Sequence, residues 1–293
     1  MSKVEHILEV QNRLGEGPRW HPEEQALYWV DIENDYFYRY FPRNGDAEGF
    51  SVGMPVGALG FREAGGLVLA VRDGLALWHF GKGRTGRLEF VSDVEADKRD
   101  ARFNDGAVDP GGRFWAGTMT FDGSANGSSL YRLDPDHSLH TMATGFTISN
   151  GIGWAPDRKT MYHTDTEKQV IYAYDYDLAT GNIANRRDFV RTSGEEGFPD
   201  GLAVDSESFV WSAFYGGWRV TRYDPDGKKE RDVYLPVSNV TACTFGGLEL
   251  TDLYITTAWS DLSVTQRRKQ PLAGDLFMLR TGIKGQPESK FRG

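Results

Sequence analysis

Leu27-Tyr-Trp-Val30 is the first of six short β-type runs, rich in aromatic residues, that recur along this 293-residue chain. Successive runs start 40, 46, 48, 48 and 44 residues apart. This spacing is typical of a four-stranded propeller blade and too long for a leucine-rich or ankyrin repeat. The period therefore predicts an all-β propeller. The other five runs are Leu67–Val71, Arg113–Ala116, Met161–Thr164, Phe209–Ser212 and Leu253–Thr256.

The composition agrees with one β domain that spans residues 1–293. The chain has 35 glycines and 13% aromatic residues, which suit many short strands joined by tight turns. A propeller closes its ring by combining strands from both termini in one blade, which leaves no exposed sheet edge. We expect Val4–Val10 to pair beside Gly274–Leu279, so truncation at either end should be costly.

Charge and cysteine content restrict the possible partners. The net charge of −9 disfavours binding to nucleic acid. Residues 1–10 mix charged and apolar side chains, and no run of about 18 apolar residues occurs, which predicts a cytoplasmic protein that does not enter membranes. The single cysteine, Cys243, excludes an internal disulfide. We expect a monomer or a weak homo-oligomer.

Polar residues recur just before the aromatic runs. In four of the six units an acid or amide stands before glycine, and the inner strands of a propeller bring such positions to one axis. A single Asp-Gly or Asn-Gly pair is ordinarily just a turn, but their joint alignment favours a common centre. The aligned residues are Glu16, Asn104 or Asp105, Asn150 and Asp200.

Carboxylate and amide oxygens are the ligands that hard divalent cations prefer. Such a centre suits Ca²⁺, Mg²⁺ or Mn²⁺, with Zn²⁺ or Fe²⁺ as alternatives. We predict one divalent cation and place Ca²⁺ first. The six histidines are scattered and form no metal-binding motif, so oxygen ligands are expected to dominate.

The chain resembles the regucalcin/gluconolactonase family along essentially its whole length. Each matching stretch is short, but six of them stand in the order and spacing that the family shows. They are Leu14-Gly-Glu-Gly-Pro-Arg-Trp20, Arg102-Phe-Asn-Asp-Gly106, Phe114-Trp-Ala-Gly-Thr-Met119, Ile148-Ser-Asn-Gly-Ile152, Phe198-Pro-Asp-Gly201 and Phe245-Gly-Gly247.

The resemblance implies a six-bladed propeller with a metal-binding central channel. It implies that Glu16, Asn150 and Asp200 are the metal ligands, three positions that the repeat alignment also selects. It further implies that Arg102 and Asn104 contact the substrate, with Asn104 beside the metal. The alignment alone placed Asp105 in register, so we place Asn104 first and Asp105 second.

One departure from the family concerns substrate binding. Where regucalcin-like members carry a glutamate shortly after Gly-Thr-Met, this chain has Thr120-Phe-Asp-Gly123. Asp122 is a candidate replacement, one methylene shorter, so substrate preference does not carry over from the family. Asp165 is a further candidate acid on the channel side, and the alternative is a buried hydrogen-bond acceptor between blades.

These residues together predict a metal-dependent sugar lactonase that converts an aldonolactone to an aldonic acid. The cation polarises the carbonyl, and a water activated by Asp200 or by the metal attacks it. The small-molecule partner is then a sugar lactone. Two alternatives stay open: a metal-dependent phosphotriesterase-like hydrolase, and a non-catalytic calcium-binding propeller.

Overall fold

The aromatic runs form the second strand of each of six antiparallel sheets, because their alternating side chains fill the space on both faces of the sheet. The computed structural model describes residues 3–293. In it each sheet has four strands, and the six sheets form the blades of a β-propeller, which confirms the predicted fold. The innermost strands surround a central channel.

The first three blades follow the chain directly. Blade 1 contains β2 (Gly15–His21), β3 (Ala26–Asp31), β4 (Tyr36–Phe41) and β5 (Asp46–Ser51). Blade 2 contains β6 (Val56–Phe61), β7 (Leu67–Val71), β8 (Gly74–Phe80) and β9 (Gly86–Ser92). Blade 3 contains β10 (Ala101–Val108), β11 (Phe114–Thr120), β12 (Ser128–Leu133) and β13 (Leu139–Phe146).

The last three blades repeat the plan until the ring closes. Blade 4 contains β14 (Ser149–Trp154), β15 (Thr160–Asp165), β16 (Val170–Tyr176) and β17 (Ile183–Arg191). Blade 5 contains β18 (Phe198–Val204), β19 (Val210–Tyr215), β20 (Arg219–Tyr223) and β21 (Lys229–Tyr234). Blade 6 contains β22 (Val240–Gly246), β23 (Asp252–Thr257) and β24 (Leu276–Arg280), and β1 (Glu5–Leu8) is its outer strand.

Ring closure joins the two ends of the chain. β1 pairs antiparallel with β24, with Glu5 opposite Met278 and His6 opposite Phe277. This confirms the predicted pairing of the terminal segments. The last residues then cross the end of the channel away from the inner-strand N-termini. There the Gln286 side-chain amide donates to the carbonyls of Trp154 and Val204, at 2.9 and 3.1 Å.

Two blades carry the same buried hydrogen-bonded turn between their first and second strands. In blade 3 the Asp109 carboxylate accepts from the Trp115 indole N–H at 2.9 Å, and in blade 5 Asp205 accepts from Trp211 at 2.9 Å. All four side chains are fully buried. The aspartate and the tryptophan of these two repeats thus stabilise the turn between the strands and also pack in the core.

Helical structure is minor in the part of the chain that the structure describes. Its single α-helix, α1 (Val264–Lys269), lies in the connection between β23 and β24 and begins with a capping box formed by Ser263 and Gln266. Two short 3₁₀ turns cover Ile32–Asn34 and Gly194–Glu196. Among residues 3–293 we find no helix with the length and apolar character needed to cross a membrane.

Candidate functional site

Four of the predicted site residues lie at β-bulges in the inner strands. The register with the second strand shifts after Glu16 in β2, around Asn104 in β10, after Asn150 in β14 and around Asp200 in β18. A bulge inserts a residue and turns its side chain away from the regular alternation. The recurring acid or amide before glycine is therefore a bulge inside a strand, whereas an isolated pair would suggest a turn.

Glycine follows Asn150 and Asp200 because neighbouring inner strands approach each other closely there. A Cβ at Gly151 would lie 2.6 Å from the carbonyl oxygen of Asp200, and one at Gly201 would lie 2.4 Å from the Cβ of Ala242. Both distances are far inside van der Waals contact. Glycine thus lets adjacent blades converge on the channel.

Two carboxylates at the floor of the channel are buried together. Glu16 and Asp200 are 5% and 4% exposed, and burial raises the pKa of each well above its ordinary value. The charge of Asp200 raises the pKa of Glu16 further, and the charge of Asp105 raises the pKa of both. Buried like charges are unfavourable unless a cation or a proton compensates them.

Asn150 completes this set of oxygen-bearing groups. Its Nδ2 donates to Asp200 and, at 3.1 Å, to the Thr166 hydroxyl, while its Oδ1 accepts from the amide of Gly151 at 3.1 Å. Within residues 3–293, no three His, Cys, Asp or Glu side chains gather at metal-binding distances. Glu16, Asp200 and an amide fit a hard divalent cation, provided that Asn150 turns its oxygen towards Asp200.

Arg102 and Asn104 form the polar wall beside the acids. Arg102 Nη1 donates to Asn104 Oδ1 at 2.6 Å and to the Phe103 carbonyl at 3.0 Å, and Asn104 Nδ2 donates to the Ser149 carbonyl at 3.1 Å. Burial lowers the pKa of Arg102 to about 10, and the charges of Glu16 and Asp200 oppose that shift. The guanidinium therefore stays positively charged at neutral pH, next to the acids.

A cavity of about 700 Å³ opens above these groups at the N-terminal ends of the inner strands. Its floor and wall include five predicted residues, namely Glu16, Arg102, Asn104, Asn150 and Asp200. This volume falls in the usual range for small-molecule sites. The structure thus brings these residues together in one cavity.

Three other predicted residues do not line this cavity. Asp105 is buried 3.9 Å from the Arg19 guanidinium, and its Oδ1 accepts from the Gly106 amide at 2.7 Å. Asp122 is exposed, and its carboxylate accepts from the amide and hydroxyl of Ser124 at 2.9 and 2.5 Å. Asp165 is fully buried and accepts from the Thr147 amide at 3.2 Å.

The rim of the cavity contains residues that sequence reasoning missed. They lie in the connections between second and third strands, which vary in length and carry no repeat position. One sequence feature could have pointed to these rim residues. It is a polar or aromatic residue one to four positions after the second strand of a blade. The rim residues of this kind are Glu33, Phe121, Glu167, Ser260 and Asp261, and Tyr215 ends β19 itself.

Comparison with known proteins agrees with this fold and cavity. The model of the SMP-30/Gluconolactonase/LRE-like region matches residues 14–259. The chain is 36% identical to the regucalcin of Xenopus laevis over 99% of both proteins. It is 39% identical to a 6-deoxy-6-sulfogluconolactonase of Pseudomonas putida, over 96% of this chain and 95% of that protein.

A solved structure gives the same result in three dimensions. A calcium-binding protein, regucalcin, from Agrobacterium tumefaciens superposes with a TM-score of 0.95 at 26% identity, over 100% of this chain and 98% of that one. The sequence match and the shared propeller both cover the residues that build the cavity. This chain therefore belongs to the SMP-30/gluconolactonase/LRE-like family.

Proposed function

We propose that this protein is a divalent-metal-dependent sugar lactonase that opens an aldonolactone to the aldonic acid. The observation that carries the proposal is the buried pair Glu16 and Asp200, which lies with Asn150 on the floor of a cavity whose wall contains a charged arginine. Relatives named as lactonases, including a pentonolactonase of Haloferax volcanii, support the same reaction class.

Glu16, Asn150 and Asp200 would hold the cation. Ca²⁺ is our first choice, and the relative described as a calcium-binding protein supports it. When bound, a divalent cation supplies Lewis-acid charge that polarises a lactone carbonyl. Its positive charge would also compensate the two buried carboxylates, whose pKa values are raised by burial and by the charge of Asp105.

The side chains of this protein perform the remaining steps. Asp200 accepts a proton from the water that attacks the carbonyl carbon, and that proton passes to the ring oxygen when the C–O bond of the lactone breaks. Arg102 has N–H groups beyond those bound to Asn104 and Phe103, and these stabilise negative charge on the lactone oxygens. Asn104 orients the hydroxyl groups.

The test is acid release from five- and six-membered sugar lactones after chelation and restoration of single metals. We expect chelator to abolish enzymatic hydrolysis above the spontaneous rate, and Ca²⁺ or another divalent cation to restore it. An organophosphate triester is assayed in parallel. A clear excess of triester hydrolysis over lactone hydrolysis would favour the phosphotriesterase-like alternative.

Metal-dependent acid release by the wild-type protein separates the lactonase from a non-catalytic calcium-binding propeller, and an Asp200→Asn variant tests the role of Asp200. The lactonase proposal expects most activity to be lost with the fold intact, since the amide cannot accept the proton of the attacking water. No metal-dependent acid release by the wild-type protein from any lactone would defeat the proposal.

A further inference from the structure

Asp261 stands at the rim of the cavity on a turn that is firmly anchored. The neighbouring Ser260 donates its amide to the Arg13 carbonyl at 2.9 Å, and its carbonyl accepts from the Asn239 side chain at 2.9 Å. The Trp259 indole also donates to the Gln11 carbonyl at 2.9 Å. The Asp261 side chain is exposed. The backbone beside it is held in place by these hydrogen bonds.

The backbone conformation at Asp261 is itself specialised. Its φ of 62° lies in the left-handed region, which aspartate tolerates better than most residues other than glycine. Asp261 lies in the turn that follows β23, four residues after the strand ends at Thr257. The carboxylate is thereby placed among the residues that line the cavity.

Tyr215 of blade 5 holds this carboxylate across the boundary between two blades. Its hydroxyl lies 2.9 Å from Asp261 Oδ2, 3.1 Å from the Ser260 carbonyl and 3.4 Å from the Ser260 hydroxyl. A phenol has one proton to donate, and an ionised carboxylate is the strongest acceptor of the three. Burial raises the Tyr215 pKa, and the charges of Asp261 and Asp200 contribute, so the phenol stays protonated.

The other carboxylate oxygen, Asp261 Oδ1, receives no hydrogen bond from any residue that the structure describes. It therefore remains available to a ligand in the cavity. Asp261 belongs to blade 6 and Arg102 to blade 3, which stand opposite each other in a ring of six. The cavity thus has a hydrogen-bond-donating wall at Arg102 and an accepting wall at Asp261.

We propose that Asp261, positioned by Tyr215, accepts hydrogen bonds from the substrate hydroxyls that lie farthest from Arg102, and so selects hydroxylated, uncharged lactones. This inference rests on the proposed lactonase function. Sugar hydroxyls are donors that a fixed carboxylate binds well, whereas a phosphate, sulfonate or carboxylate group at the same place meets like charge. A lactone without hydroxyl groups forms no such hydrogen bond with Asp261.

The experiment compares kcat/KM for three substrates: glucono-1,5-lactone, δ-valerolactone and 6-phosphoglucono-1,5-lactone. For Asp261→Asn we expect kcat/KM for gluconolactone to fall by roughly tenfold, since a hydrogen bond to a charged carboxylate is replaced by a weaker one to a neutral amide oxygen. The kcat/KM for δ-valerolactone should stay within about twofold of the wild-type value, because this substrate lacks hydroxyls. The kcat/KM for the phosphorylated lactone should rise by about threefold or more, because a repulsive charge is removed.

A matched control and a coupling test complete the design. Glu195→Gln removes an exposed acid from the same end of the propeller, outside the cavity lining, and should change none of the three values. Tyr215→Phe should lower gluconolactone turnover in the wild-type background but add little in the Asp261→Asn background, because it acts by holding Asp261.

The outcomes separate the two proposals. If the wild-type protein hydrolyses none of the lactones, the lactonase function fails and this inference fails with it. If it hydrolyses them but Asp261→Asn changes all three substrates alike, or none of them, the lactonase function survives and the role of Asp261 is overturned. Thermal unfolding of each variant identifies a merely structural loss.

Discussion

At Asp200 the proposed function and the stability of the fold make opposite demands. Its carboxylate is 4% exposed and near two other buried acids, Glu16 and Asp105. Burial of like charges without a cation costs free energy that packing must offset. In the proposed function Asp200 is a cation ligand and the proton acceptor, so its replacement should separate activity from stability.

We predict that Asp200→Asn abolishes lactone hydrolysis but raises the melting temperature of the chelator-treated protein by about 2–4 °C. The amide removes the charge repulsion and also the proton acceptor. Calorimetry with and without chelator, together with acid release, checks both effects. Asp226→Asn, in an exposed turn, is the control and should alter neither quantity; a melting temperature that falls in the variant would contradict the account.

His163 makes the stability of the fold depend on pH. Its ring is fully buried against Ser149, with 2.6 Å between Nε2 and the serine hydroxyl, and burial together with the charge of Arg186 lowers its pKa to about 3. The unfolded chain binds the same proton near the ordinary histidine pKa of 6.5. Between pH 6.5 and pH 3 the unfolded state therefore holds more protons, and stability falls as pH falls.

At pH 4.5 this residue should account for roughly 2–3 kcal/mol of the lost free energy of unfolding. Urea unfolding at pH 7 and pH 4.5 measures the difference, which should shrink by that amount in His163→Gln. The exposed His137→Asn serves as the control and should leave the difference unchanged. An unchanged difference in His163→Gln would show that other groups govern the acid response.

Residue-level features were only partly accessible from the sequence. The in-phase Glu16, Asn150 and Asp200 were predicted because each blade repeats its inner strand. The repeat pattern alone put Asp105 in register, because a bulge shifts the register by a residue and the pattern does not locate it. Only the family resemblance placed Asn104 first. In the structure Asn104 faces the cavity and Asp105 lies outside its lining.

At the scale of the element, the turn between the first and second strands of blade 3 depends on one buried carboxylate, that of Asp109. Asp109 accepts from the amides of Gly111 and Arg113 at 2.8 and 2.9 Å, from the Trp115 indole at 2.9 Å and from the Tyr176 hydroxyl at 2.7 Å. Tyr176 belongs to blade 4, so this carboxylate also joins two blades. The bonds tie the turn to the core on both sides.

We predict that Asp109→Asn lowers the free energy of unfolding by about 2–4 kcal/mol, since an amide presents a donor where only donors surround it. Urea titration at neutral pH measures the loss. Asp157→Asn is the matched control, because Asp157 caps the equivalent turn of blade 4 through one exposed hydrogen bond to the Lys159 amide. Equal losses in both variants would contradict the argument.

The elements themselves were largely predictable, whereas their connections were not. Aromatic runs with period-two alternation located the second strands, and the repeat then implied the other three of each blade. The connections that form the cavity rim differ from blade to blade in length and composition. Phe121 and Asp261 could therefore be placed in the site only when the backbone path was known.

At the scale of the whole molecule, the C-terminal segment links blades that are distant in the chain. Phe291 is fully buried, and its amide donates to the Phe61 carbonyl of blade 2 at 2.7 Å. On the way the segment contacts Val204 of blade 5 through Gln286. The closing segment is thus part of the core.

We predict that Phe291→Ala destabilises the protein by about 3–5 kcal/mol, the usual cost of removing a buried phenylalanine ring. Chemical unfolding measures the loss. The control is Phe90→Ala, whose ring is 47% exposed on the outer strand β9 and should cost much less. A loss at Phe291 no larger than at Phe90 would mean that the terminal segment contributes little to the fold.

The pairing of β1 with β24 also has a consequence for biosynthesis. At typical rates of about 5–20 residues per second, synthesis of this chain takes roughly 15–60 s. For most of that time β1 has no partner, because its partner β24 begins only at Leu276. The ring can close only after β24 has emerged, so until then blades 1 and 5 present unpaired flanks that nascent-chain chaperones are expected to protect.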